Sequence, residues 1–196
     1  MPLNEMLLPE FDQEMATARK FLDRVPDDKF AWKPHEKSMS LGRLVAHLAE
    51  IPGWAVPTIE QASLDLAPPG GPPFQPTKTS SRNETLELFD KNVAAARSVI
   101  ASATDEPLQK FWSLLMGGNV IFTMRRIGVL RSMVMSHNVH HRAQLGVYFR
   151  LNHVPVPATH PRMSHRPAGA CAFGALSLEK LNRHRFPSPQ RGRGEL

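Results

Sequence analysis

The stretch Met135–Gln144, MSHNVHHRAQ, places three histidines within five residues, inside a segment with no proline from Thr123 to Asn152. Leu130, Val134, His137, His141, Leu145 and Tyr148 step by four, three, four, four and three. That spacing predicts one long helix with all six side chains on a single face. Residues four apart on a helix are neighbours, so His137 and His141 can point at one object. The rest of the face is apolar and should look into a core, where two imidazoles are costly unless something binds them. A metal ion is the most economical partner. A pair of buried, hydrogen-bonded histidines is the alternative that spacing alone leaves open.

Such a face needs other helices to pack on, and the 41% hydrophobic content is enough for a core. Phe11, Met15, Ala18 and Leu22 mark a first amphipathic helix that ends by Pro26, with Pro9 expected in its first turn, where a missing amide costs little. Residues 26–39 read as a connection anchored by Trp32. Ser40 is suited to cap a second helix whose face is Leu41, Leu44, Val45, Leu48 and Ile51. Pro52-Gly53 and Pro57 should kink or break it. Residues 64–80 are rich in Pro, Gly, Ser and Thr and read as a long crossover loop. Ser81 with Glu84 forms a capping box for a third helix carrying Leu86, Phe89, Val93, Ala96 and Ile100. Two apolar runs flank Gly117-Gly118-Asn119, which predicts a small β-hairpin before the fourth helix. Asn152 is its expected stop, since Pro155 and Pro157 prevent continuation. The expected class is therefore all-α: a four-helix bundle over about residues 3–155, with a long crossover between helices 2 and 3 and a small β-hairpin before helix 4.

Charge divides the chain in two. Residues 1–159 hold 17 Lys/Arg against 16 Asp/Glu, whereas residues 160–196 hold seven against two. The body at 1–159 is the expected domain, and its balance does not read as a nucleic-acid surface. Residues 160–196 form a basic Pro/Arg/Gly-rich tail expected to be disordered. A lone Cys171 excludes an internal disulfide framework and a cysteine-based zinc site. There is no apolar run of membrane-span length and no basic region leading into an apolar one at the N-terminus, which makes the cytoplasm the expected location.

A third imidazole completes the pattern. His47 lies three residues after Leu44 and four before Ile51, on or beside the buried stripe of the second helix. Alone it reads as a packed core histidine. With a pair on another helix it makes a three-histidine site of the kind that leaves a coordination position open for water. Imidazole suits zinc, nickel, copper and iron alike, so the residues do not choose the metal. His140 is displaced to the side and reads as a neighbour of the site or an interface residue. Gln144 is placed to hydrogen-bond a ligand or substrate, or to sit in solvent. Glu50 could accept a proton from a metal-bound water, or be a surface glutamate. His35 and His153 fall in loops without an assigned role.

The segments Ser38–Trp54, SMSLGRLVAHLAEIPGW, and His137–Asn152, HNVHHRAQLGVYFRLN, followed by Val154-Pro-Val-Pro157, resemble the DinB family, the damage-inducible superfamily that includes YfiT-like proteins and thiol-dependent transferases. The resemblance covers about residues 3–159. It implies a four-helix bundle, often dimeric, with a divalent ion held by three histidines that correspond to His47, His137 and His141. The ion expected first is zinc or nickel, with iron or manganese after them, and a low-molecular-weight thiol is a second cofactor to expect. The implied activity is thiol S-transfer or hydrolysis of a small-molecule substrate through a metal-activated nucleophile. A non-catalytic metal-binding stress-response protein is the alternative. The tail departs from the family pattern, either as an RNA-binding arm or, the preferred reading, as an altered reading frame past the natural end. Nucleic acid is expected as a partner only through that tail, and a membrane not at all.

Overall fold

The computed structural model describes residues 1–159, and the expectations for 160–196 fall outside the described residues. The described part is mostly helical, with a small mixed sheet. The helices are α1 (Leu3–Leu22), α2 (Leu41–Glu50), α3 (Ala55–Glu60), α4 (Arg82–Ser102), α5 (Asp105–Gln109), α6 (Arg126–Val129) and α7 (His137–Leu151). The strands are β1 (Ser63–Asp65), β2 (Phe111–Met116) and β3 (Asn119–Arg125). The predicted faces are those buried in one core: Phe11, Met15, Ala18 and Leu22 of α1, Leu41, Leu44, Val45 and Leu48 of α2, Phe89, Ala96 and Ile100 of α4, and Leu145 and Tyr148 of α7.

The all-α expectation is corrected by the sheet, which has the order β1-β2-β3. The hairpin of β2 and β3 is present, and Gly117 and Gly118 turn it with φ of +61° and +80°, the conformation a two-residue I′ turn demands. The sheet also recruits β1 from the crossover, parallel to β2. Asp65 at its end accepts hydrogen bonds from the Gly117 and Gly118 amides at 3.0 and 2.7 Å, tying the hairpin tip to the crossover. Thr123–Arg125, within the proline-free segment, belong to β3, and helical structure starts at Arg126. Trp112 is fully buried behind the sheet and donates its indole N–H to the Pro57 carbonyl at 3.1 Å.

Two smaller corrections concern the helix starts. Because α1 begins at Leu3, Pro9 lies inside it rather than in its first turn. It is tolerated because it lies on the solvent side, as does Glu5, whose carbonyl loses a donor. Ser81 caps α4 by accepting from the Glu84 amide, but the Glu84 carboxylate reaches Ser80 rather than Ser81.

The element that matters most for the site is α2, and both its ends are satisfied by distant residues. At the start, Leu41 and Gly42 donate to the Trp32 and Phe30 carbonyls at 2.7 and 2.9 Å, and Ser40 Oγ accepts from the Arg43 amide at 3.2 Å. Gly42 is required by this close approach, since a Cβ there would meet Phe30 Cδ1 at 2.8 Å. Trp32 anchors the connection as predicted, edge-on against Tyr148. At the other end Pro52 has no amide to give the Leu48 carbonyl, and the chain tightens into a 3-10 turn over Ile51–Trp54. Asn92 of α4 donates to the Ala49 carbonyl at 2.8 Å, and the fully buried Asn138 of α7 approaches the Leu48 carbonyl at 3.5 Å. The proline break in α2 is thus bridged by the two helices it packs on.

Candidate metal centre

Helical structure from Arg126 to Leu151 is not uniform. Residues Leu130–Ser136 form a π-helical stretch, and the regular turn of α7 begins at His137 itself. The wider π turns keep Leu130 and Val134 in the core while setting the phase from which His137 and His141 project. Such widened turns are frequent where a helix presents functional side chains.

His47, His137 and His141 come together. Their ligand nitrogens all lie within 4.8 Å of one another, with His137 Nε2 at 3.4 Å from His47 Nε2 and 2.8 Å from His141 Nε2. The rings stand at steep angles, 71° between His47 and His137 and 79° between His47 and His141, so their edges converge rather than stack. Among the described residues, the hydrogen-bond partners of these Nε2 atoms are one another.

The outer nitrogens set the form in which the rings meet. His141 Nδ1 sits 2.7 Å from Gln144 Oε1, and His47 Nδ1 makes a longer contact of 3.5 Å with Glu50 Oε2. Both oxygens can only accept, so both Nδ1 atoms carry the proton. In a neutral ring this leaves Nε2 with a bare lone pair, and lone pairs packed at these distances repel unless a proton or a metal ion lies between them. A tetrahedral ion with bonds of about 2.0–2.1 Å spaces its nitrogens about 3.3–3.4 Å apart, which the His47–His137 separation matches. The tighter His137–His141 spacing suits an angle nearer 90° at the ion. The donor set fits a divalent metal.

Burial pushes the His141 imidazole down to about 4, with the Gln144 hydrogen bond working the other way and the neighbouring histidines adding to the shift. His137 is lowered for the same leading reason, and a hydrogen bond to the Met133 backbone opposes it. Both rings are therefore held in the neutral form that can ligate.

Glu50 is not the surface residue that its position near a helix end allowed. It is 7% exposed, and its Oε2 receives Arg43 Nη1 at 3.2 Å while Oε1 accepts from the Thr77 amide. Burial alone would raise its pKa, but the bonds from His47 and Thr77 and the Arg43 charge hold it below the usual carboxylate range. With both oxygens engaged it fixes the His47 ring instead of facing the Nε2 cluster as a base. Gln144 does the same for His141 and passes the network on, its Nε2 lying 3.1 Å from His140 Nε2. His140 itself is exposed and outside the cluster. His35 accepts from the Lys37 amide, and His153 ends α7 with a φ of +57°, so neither joins the site. Sequence reasoning missed Arg43 and Thr77. Arg43 lies seven residues before Glu50, two helical turns, and that spacing was the available signal. Among the described residues, no helix is long and apolar enough to cross a membrane.

Comparison with known proteins agrees with this fold. The sequence profile of the DinB superfamily matches residues 10–145. The uncharacterised protein YjoA of Bacillus subtilis (strain 168) is 22% identical over 161 residues, covering 82% of this chain and 98% of YjoA. Among solved structures, a DinB-like protein from Bacillus cereus ATCC 10987 superposes with a TM-score of 0.60 at 20% identity, covering 81% of this chain and 98% of that one. The B. subtilis YjoA structure, also described as DinB-like, gives a TM-score of 0.60 at 21% identity, with 81% and 99% covered.

Proposed function

The chain belongs to the DinB superfamily, and from that premise we propose that it is a metal-dependent enzyme transferring a low-molecular-weight thiol to, or hydrolysing, a small-molecule substrate. The observation that carries the proposal is the convergence of three Nε2 atoms, with the His47 ring backed by Glu50 and the His141 ring by Gln144. His47, His137 and His141 would hold a divalent ion, zinc or nickel first. When bound, such an ion lowers the pKa of a coordinated water or thiol and so supplies a nucleophile at neutral pH. Glu50 would orient the His47 ring and Gln144 the His141 ring, the role outer carboxylates and amides play around metal ligands. The four helices α1, α2, α4 and α7 would act as the bundle that fixes the distance between the ligand pair and its third member. The working form in this proposal is a cytoplasmic homodimer.

The test begins with elemental analysis of the native protein, followed by a screen of thiols against the electrophile 1-chloro-2,4-dinitrobenzene with and without the metal found. Stoichiometric metal and metal-dependent thiol consumption are expected. Stoichiometric metal that only raises the melting temperature, with no turnover of thiol or ester, would favour a non-catalytic metal-binding protein whose ion braces the fold.

A further inference from the structure

Glu50, which contacts His47, also lines a second feature with a binding chemistry of its own. The crossover segment that carries Phe74 and Thr77 lies against α3 and α4 and lines an open cleft of about 400 Å³. Small-molecule sites typically fall at about 300–1,000 Å³. Its walls are Trp54, Pro57, Leu64, Phe74 and Leu88. Trp54 and Phe74 meet edge to face with centroids 6.1 Å apart, and Phe74 is still 44% exposed. A large aromatic side chain kept at the mouth of a cleft forms one wall of a slot suited to a flat apolar body.

Charge decides what kind of body. Among the described residues, Glu50 is the one ionised group in the lining, and its oxygens are already taken by Thr77, Arg43 and His47. Those residues leave no free charge to recognise an ion. The remaining polar lining groups include the amides of Gln61 and Asn92, which offer hydrogen bonds without charge. Asn92 spends its Nδ2 on the Ala49 carbonyl, leaving its oxygen as an acceptor.

We propose that this cleft binds a small neutral aromatic molecule against the joined wall of Trp54 and Phe74, with an amide hydrogen bond at its polar end. The site does not depend on the metal reading, because it can be probed on metal-free protein.

The probe is N-phenyl-1-naphthylamine, which is neutral, aromatic, carries one N–H donor and brightens in apolar surroundings. It is titrated into the full-length, metal-free chain. Saturable one-to-one binding is expected. Phe74→Ala removes an exposed wall and should weaken binding about tenfold. Leu88→Trp fills the cleft from α4 and should weaken it at least as much, whereas Met116→Ser, at an exposed hairpin residue outside the cleft, should leave it unchanged. Circular dichroism of each variant confirms that the fold is kept. Absence of saturable binding in the wild type would overturn the proposal, and so would retained affinity in both Phe74→Ala and Leu88→Trp. Loss of binding in His47→Ala alone would also overturn it, because the probe would then be sitting at the histidines.

Discussion

Each imidazole of the cluster has a different neighbour behind it, and that makes the residues separable by mutation. Replacing His47, His137 or His141 with Ala leaves two nitrogens, which hold a divalent ion poorly against water, so zinc affinity measured by competition with a chelator should collapse in all three. His140→Ala should change it little, because that ring lies outside the converging set. Equal losses in all four proteins would mean the ligands are wrongly assigned. A milder class is predicted for the residues behind the ligands. Gln144→Ala and Glu50→Gln should each weaken zinc binding by about 10–100-fold, the usual cost of removing a partner that orients a ligand. Unchanged affinity in both would show that the rings are held by packing alone. The convergence of the three histidines was legible in the sequence because helical spacing puts two of them on one apolar face and the third on another. Glu50 was not. Its burial depends on Arg43, which only the two-turn spacing hints at, and on an amide from the crossover, which no local pattern announces.

At the scale of elements, α2 is the helix most exposed to failure, because it is short, ends at a proline and carries His47 near its broken end. The carbonyls left over by that break are served by Asn92 and Asn138. Asn92→Ala should cost about 1–3 kcal/mol in urea denaturation, since it strands a buried carbonyl. Ser40→Ala at the opposite end should cost about 1 kcal/mol, the ordinary value of an N-cap. A smaller loss for Asn92→Ala than for Ser40→Ala would show that the proline end finds another donor. The break itself was legible from Pro52-Gly53 and Pro57, as were the helices α1, α2, α4 and α7 and the Gly117-Gly118 hairpin. The third strand was not, because Ser63-Leu64-Asp65 is too short to show alternation and pairs with residues about 50 positions away. The π-helical stretch left no mark either. Its residues fit an α-helical face equally well, and only packing decides the pitch.

For the whole molecule, the buried histidines make folding depend on pH in a direction that can be worked out. His137 and His141 have lowered values in the folded chain, His141 at about 4, against about 6.5 when unfolded. The unfolded chain therefore binds more protons between those limits, and stability rises with pH across that window. It is fully present above about 6.5 and is lost as pH falls towards 4. For His141 alone the difference amounts to on the order of 3 kcal/mol in the metal-free protein. Glu50 acts lower down: its depressed pKa means that its contribution is present above the ordinary carboxylate value and disappears only as pH drops below it. Bound metal should shift the histidine window rather than remove it, because protonation then also competes with ligation. Melting temperatures of the metal-free protein recorded from pH 7.5 to 4.5 should fall steeply below about 6.5, and His141→Gln should flatten that fall while lowering the plateau less than it lowers zinc affinity. An identical slope in wild type and variant would place the pH sensitivity elsewhere in the chain.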